Sequence, residues 1–219
     1  AQGKRVTPGL IDAHVHLIEG AQALDTPDLR DAKSRQDLLR IVRDYAAANP
    51  DDAWIILRGW SAESWPDPTP PSPQEINDAT GGRPALLYRM DGHSLIASSA
   101  ALDAAKVTRT TPKTDRGGRI DRKRDGTPTG AVCEDAMSMF DTLIPTQSAR
   151  KTANQVEKAV ALANSFGITQ VGAMDSGPSV RDVLVKLDER GKLNVRIGAT
   201  LNEDHRSFAA WKRTLEWID

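Results

Sequence analysis

The chain has 219 residues, with 29 basic and 30 acidic side chains, a formal net charge of -1, 39% hydrophobic and 27% charged residues. This is the balance of a soluble globular protein with enough chain for a sizeable core, and near-neutral charge argues against nucleic acid as a partner. No apolar run approaches the ~20 residues of a membrane span, and a single cysteine, Cys133, excludes a disulfide framework and a four-cysteine zinc site.

Residues 1–6 hold neither the apolar core of a signal peptide nor a helix cap. A cytoplasmic location is therefore expected, with any preceding domain of a parent protein outside this chain. Residues 10–16 form a short apolar run ending in histidines. Residues 32–49 read as a helix: Leu38, Val42 and Tyr45 share one face, Ser34 caps the start and Asn49-Pro50 ends it. Trp54-Ile55-Ile56-Leu57 has strand length, and the five prolines between Trp65 and Pro73 mark a surface loop. Residues 84–88 make another strand. Residues 117–131 are polar, and Asp125-Gly126 predicts a two-residue hairpin turn, an excursion from the main repeat.

A long helix follows over 149–166, capped by Ser148 and stopped by Gly167. Residues 168–174 read as a strand, 180–190 as a helix closed by Gly191, 195–201 as a strand and 208–218 as a helix. Short apolar strands alternating with amphipathic helices indicate parallel β/α units. About five strands are too few for the eight of a closed (β/α)8 barrel. The expected fold is α/β, a partial (β/α)8 TIM barrel with a hairpin insertion, or else a smaller open sheet.

Pro8-Gly9-Leu10-Ile11-Asp12-Ala13-His14-Val15-His16-Leu17 is the sharpest local feature. Strand side chains repeat with period two, so His14 and His16 point to the same side. Two imidazoles at a strand end can reach one metal ion at roughly 2.0–2.1 Å, and neutral imidazole suits zinc, iron or nickel. A polar pair at a strand end is the alternative.

The whole string resembles the first-strand signature of the amidohydrolase superfamily. Its amidohydrolase-3 branch, which includes N-substituted formamide deformylases, is also matched by Trp54-Ile55-Ile56-Leu57-Arg58-Gly59-Trp60 and by Pro84-Ala85-Leu86-Leu87-Tyr88-Arg89-Met90-Asp91-Gly92-His93-Ser94. Ser99-Ala100-Ala101-Leu102, Gly130-Ala131-Val132-Cys133-Glu134-Asp135-Ala136 and Gly167-Ile168-Thr169 continue the match in order along nearly the whole chain. The resemblance implies a hydrolase of the metal-dependent barrel type, with His14 and His16 holding a divalent cation, zinc foremost. That cation would lower the pKa of a water for attack on a non-peptide C–N bond of a small amide or formamide. The resemblance also implies active-site roles for His93 and Glu134.

Members of the superfamily complete the site with further histidines, a bridging carboxylated lysine or carboxylate, and an aspartate base. Here the remaining histidines are His93 and His205, and the strand at 195–201 ends without one. The chain is therefore expected to be the N-terminal portion of such a protein, lacking the leading β-sandwich and the later strands. Little or no turnover is expected from it alone, and an oligomer would cover its open edge. A non-catalytic α/β binding or structural module that retains the strand-end histidines is the reading from a different class.

Lesser candidates have bland alternatives. His93 either contacts substrate or bonds the next loop, and Glu134 either approaches the site or serves as a helix-start carboxylate. Cys133 reads better as a buried small hydrophobe than as a nucleophile. Trp60 and Trp65 either wall an apolar pocket or pack at the surface. Asp91 and Asp175 end strands, where they either orient loops or bind polar substrate groups. Arg122-Lys123-Arg124 is a solvated turn, and Gly117-Gly118 lacks the Lys-Ser/Thr of a phosphate loop.

Overall fold

A computed structural model describes residues 2–112, 117–174 and 177–200. The expected helix at 208–218 lies outside the described residues, as do His205 and Asp175. The elements run β1 (Leu10–Val15), α1 (Leu17–Ala23), α2 (Arg35–Ala48), β2 (Ile55–Trp60), α3 (Pro73–Ala79), β3 (Ala85–Arg89), β4 (Ser94–Ala97) and α4 (Ser99–Ala104). They continue with β5 (Arg119–Arg122), β6 (Pro128–Cys133), α5 (Ala149–Ser165), β7 (Ile168–Ala173), α6 (Pro178–Glu189) and β8 (Arg196–Ala199). Short 3-10 segments lie at Leu29–Asp31 and Glu134–Phe140. Among the described residues no helix is long and apolar enough to cross a membrane.

The fold is mixed α/β and divides into two compact units, Thr26–Thr146 inserted between Ala1–Asp25 and Gln147–Asp219. The five strand candidates thus do not follow one another in a single β/α succession. The flanking unit holds a three-stranded parallel sheet ordered β1-β7-β8. Leu17 and Ile18 of α1, Val156 and Val160 of α5, and Val183, Leu184 and Leu187 of α6 pack with Val171 and Ala173 of β7. The amphipathic periods read from the sequence supply these contacts. Ser148 accepts the Lys151 N–H at 3.3 Å as the α5 cap.

The inserted unit is a five-stranded sheet ordered β2-β3-β4-β6-β5, parallel only at β2–β3. Three of its elements escaped the periodicity argument: α3, β4 and α4 are each of seven residues or fewer. The proline-rich loop runs into α3 through a full capping box, Ser72 with Glu75, and Pro73 is the first helical residue, where its missing N–H costs nothing. Trp60 and Trp65 are both buried. Their indole N–H groups donate to Leu87 O at 2.8 Å and Ala32 O at 3.0 Å, so they anchor the core of this unit.

The hairpin at 117–131 is present as β5–β6, but its turn differs from expectation. Lys123 N–H donates to Thr127 O at 2.8 Å and Gly126 N–H to Lys123 O at 3.0 Å, with positive φ at Gly126 and none at Asp125. That is a three-residue loop with a glycine bulge rather than a two-residue turn. The Asp125 carboxylate accepts the Thr127 N–H, which holds its pKa below the ordinary value. β6 is not a free excursion either, since it also pairs with β4. Arg122 is drawn inward, donating to Thr108 O, Gly126 O and Thr111 O at 2.6–3.0 Å, so only part of the basic tip is a solvated turn.

Candidate metal centre and a histidine–glutamate pair

The two pairs of candidate site residues fall in different units. In the flanking unit, His14 is the fifth residue of β1, while His16 lies one step past the strand as the N-cap of α1. The expected strand over 10–16 therefore stops at Val15. The rings nevertheless come together: both are exposed, with centroids 5.7 Å apart and planes at 55°. Glu19 Oε2 lies 3.8 Å from His16 Nδ1, in ion-pair range.

This arrangement fits a divalent cation. One nitrogen of each ring at roughly 2.0–2.1 Å from a shared ion places the centroids about 5 Å apart, close to the observed separation. Both nitrogen donors belong to the borderline-soft class that zinc accepts. Among the described residues no group of three or more His, Cys, Asp or Glu side chains converges, so those residues offer two ligands.

The inserted unit holds the second pair. His93 Nδ1 and Glu134 Oε2 are 3.3 Å apart, and Glu134 N–H donates to His93 O at 2.9 Å. The side chains are 73% and 58% exposed. With Nδ1 protonated, the ring donates to the carboxylate and turns Nε2 outward as an acceptor. Glu134 adopts φ +53, a left-handed conformation rare for a side-chain-bearing residue.

Asp91 organises this turn. Its Oδ1 accepts the His93 N–H at 2.9 Å and the Ser94 hydroxyl at 3.3 Å. Arg89 links Asp91 Oδ2 at 3.4 Å to Glu63 Oε1 at 2.8 Å, with its guanidinium 5.3 Å from the Trp60 ring centroid. Glu63 and Arg89 went unnoticed in the sequence. Asp91 had a readable signal, because aspartate two residues before a backbone N–H favours this local turn. Asp12 carries the same signal before His14.

Cys133 is half-buried, burial pushes its thiol pKa up, and Arg119 Nη2 donates to Sγ at 3.7 Å. A raised thiol pKa disfavours the thiolate that a nucleophile requires, while the half-buried side chain is less enclosed than the buried small hydrophobe expected. A groove of about 500 Å³ along α5, lined by Asp25, Lys151, Glu157 and Lys158 among others, contains none of the four site residues.

Residues 1–216 match the Amidohydrolase family (Amidohydro_3). The chain is 31% identical over 205 residues to the protein LONG AFTER FAR-RED 3 of Arabidopsis thaliana, covering 89% of this chain and 35% of that one. It is 28% identical over 213 residues to N-substituted formamide deformylase of Arthrobacter pascens, covering 93% and 38%. Among solved structures it is similar to an uncharacterized metal-dependent hydrolase of Pyrococcus horikoshii OT3, with a TM-score of 0.68, 22% identity and coverage of 96% and 38%. A second, from Pyrococcus furiosus, gives a TM-score of 0.61, 25% identity and coverage of 89% and 37%. The chain thus spans little more than a third of the length of these relatives.

Proposed function

The chain belongs to the amidohydrolase family, and on that premise we propose that it contributes to a metal-dependent hydrolase acting on a non-peptide C–N bond of a small amide or formamide. The observation that carries this reading is the approach of the His14 and His16 rings to 5.7 Å on an exposed strand end. These two residues would hold a divalent cation, zinc by preference. When bound, it would supply Lewis acidity and a water of lowered pKa.

The three-stranded sheet is read as the opening of a (β/α)8 barrel: β1, β7 and β8 are parallel and helices α5 and α6 precede β7 and β8 in the chain. Active sites of such barrels gather at the C-terminal strand ends, where His14 and His16 lie. Further ligands and a general base are assigned to sequence outside the described residues. His93 is proposed to contact substrate, with Glu134 fixing its tautomer and presenting Nε2 to a polar group. The named formamide deformylase among the relatives supports the choice of substrate class.

Zinc titration and turnover of formamides and small amides test the reading together. One zinc bound per chain and lost in His14→Ala and His16→Ala supports it, as does chelator-sensitive amide turnover by a full-length protein containing this sequence. A folded chain that binds no metal through these histidines overturns it in favour of a non-catalytic binding module.

A further inference from the structure

His14 and His16 do not owe their convergence to an ordinary strand. The β1–β7 ladder slips register between Asp12 and Val15, after Asp12 pairs with Val171 and before Val15 pairs with Ala173. Two residues of β7 therefore span three of β1, so β1 bulges. At the bulge a Cβ on residue 172 would lie 2.4 Å from Ala13 O and 3.0 Å from its carbonyl carbon. Only glycine lets the β1 backbone come so near β7.

The His14 N–H points instead to its own strand, donating to Asp12 Oδ1 at 3.2 Å. One step beyond the bulge, His16 leaves strand geometry at φ -91 and ψ 78. The ladder also shifts register, in the opposite sense, between Leu10 and Ile11, while Leu10 N–H donates to Gly167 O and Met174 N–H to Val15 O, both at 2.9 Å.

We infer that Asp12 is a positioning residue: its carboxylate holds the bulge that brings His14 alongside His16, and Gly172 makes the room for it. The inference rests on the proposed metal reading for its purpose, but the bulge itself is testable without metal. Asp12 acts through an accepted hydrogen bond at one atom, so geometry matters more than charge. Asp12→Asn keeps an oxygen at the same reach. Asp12→Glu keeps the charge but carries it one methylene further, and Asp12→Ala removes the acceptor. Gly172→Ala attacks the same bulge from the opposite strand. Gly198→Ala, whose nearest neighbour is Val171 O at 3.7 Å, is the control on the same sheet.

The experiment measures zinc affinity of the 219-residue chain by competition with a chromophoric chelator, and hydrogen exchange of the His14 amide by NMR. Protection of the Val171 amide reports the fold. Asp12→Ala and Asp12→Glu are expected to weaken zinc about 10–100-fold, the usual cost of losing an orienting partner, and to speed exchange at His14. Asp12→Asn and Gly198→Ala should stay close to the starting protein, and Gly172→Ala should behave like Asp12→Ala.

Unchanged zinc affinity and unchanged His14 protection in Asp12→Ala overturn the inference. So does a loss in Asp12→Asn equal to that in Asp12→Ala, which would make charge the operative property. If Asp12→Ala loses Val171 protection, the pair Asp12→Glu and Asp12→Asn decides the question. If the starting chain binds no zinc through His14 and His16, the metal reading fails. Exchange at His14 and the ring-to-ring NOE then decide the positioning role alone.

Discussion

The two units distribute burial in opposite ways. In the inserted unit, Ile55, Leu57, Ala85, Leu86 and Leu87 of β2 and β3 are wholly buried, and its sheet is covered by two apolar clusters. In the flanking unit no residue of β1 or β8 is buried, and Leu10 and Ile11 are 60% and 63% exposed. One unit keeps its apolar surface inside. The other keeps its helix-side cluster inside and leaves chemistry-bearing strand ends open. The most deeply buried strands and the exposed histidine pair thus belong to different sheets of the same chain, a division that mutations expose.

The sharpest contrast is between cores. Leu57→Ala is expected to cost about 3–4 kcal/mol, since it removes a fully buried side chain and leaves a cavity. Ile11→Ala should stay within about 0.5 kcal/mol, as expected of an exposed site. Denaturant unfolding of both variants checks the comparison, and equal costs would break it.

Next in size is Arg83. Its guanidinium donates to Asn49 O at 2.6 Å, Asp52 O at 3.0 Å and Ala46 O, closing the C-terminus of α2. Helix ends leave carbonyls without intrahelical partners. Arg83→Ala should therefore cost about 2 kcal/mol, and Arg83→Lys should recover only part, because one ammonium does not reproduce the planar fork. Thermal unfolding of the two variants separates them.

A smaller effect belongs to Glu134. Glu134→Gly should relieve the left-handed backbone at φ +53 and raise stability by about 0.5–1 kcal/mol, while removing the partner of His93. A stability gain together with a changed His93 tautomer, read from its ring nitrogen shifts, is the expected pair of results. A loss of stability would mean that the carboxylate matters more than the strain.

Acid titration gives the smallest contrast. Asp25, through its bond from Lys158 and a second from Gln155, and Glu75, through Ser72, both have carboxyls held below their ordinary values. Folded pKa values below the unfolded ones mean stability that is complete above the ordinary carboxylate range near 4. It is lost as pH falls through the depressed values. Asp25→Asn and Glu75→Gln should each flatten that acid limb slightly. An unchanged limb in both would contradict the assignment.

Much of this fold is legible in the sequence where long-range burial and local pattern agree. Helices α2 and α5 show their 3.6-residue period, and Ser34 and Ser148 cap them as expected. The period-two spacing of His14 and His16 is legible too, but their 5.7 Å approach accompanies a register shift of β1 and a departure from strand geometry at His16 that spacing does not reveal. What stays hidden depends on partners distant in sequence. β4 exists because β3 and β6 flank it, and the insertion of one unit within another follows from β1 pairing with β7, some 150 residues later. Trp60 and Trp65 read as loop residues that wall a pocket or pack at the surface, whereas both are buried with their indoles satisfied by the carbonyls of Leu87 and Ala32. The bulge at Ala13 requires Gly172 on another strand, so neither segment reveals it alone.

Two imidazoles, His14 and His16, are proposed to share one cation. X-ray absorption at the zinc edge of the metal-loaded 219-residue chain measures this directly. Imidazole scattering from two rings, falling to one in His14→Ala or His16→Ala, is the predicted result. A zinc signal unchanged by either substitution, or one without imidazole, would contradict it.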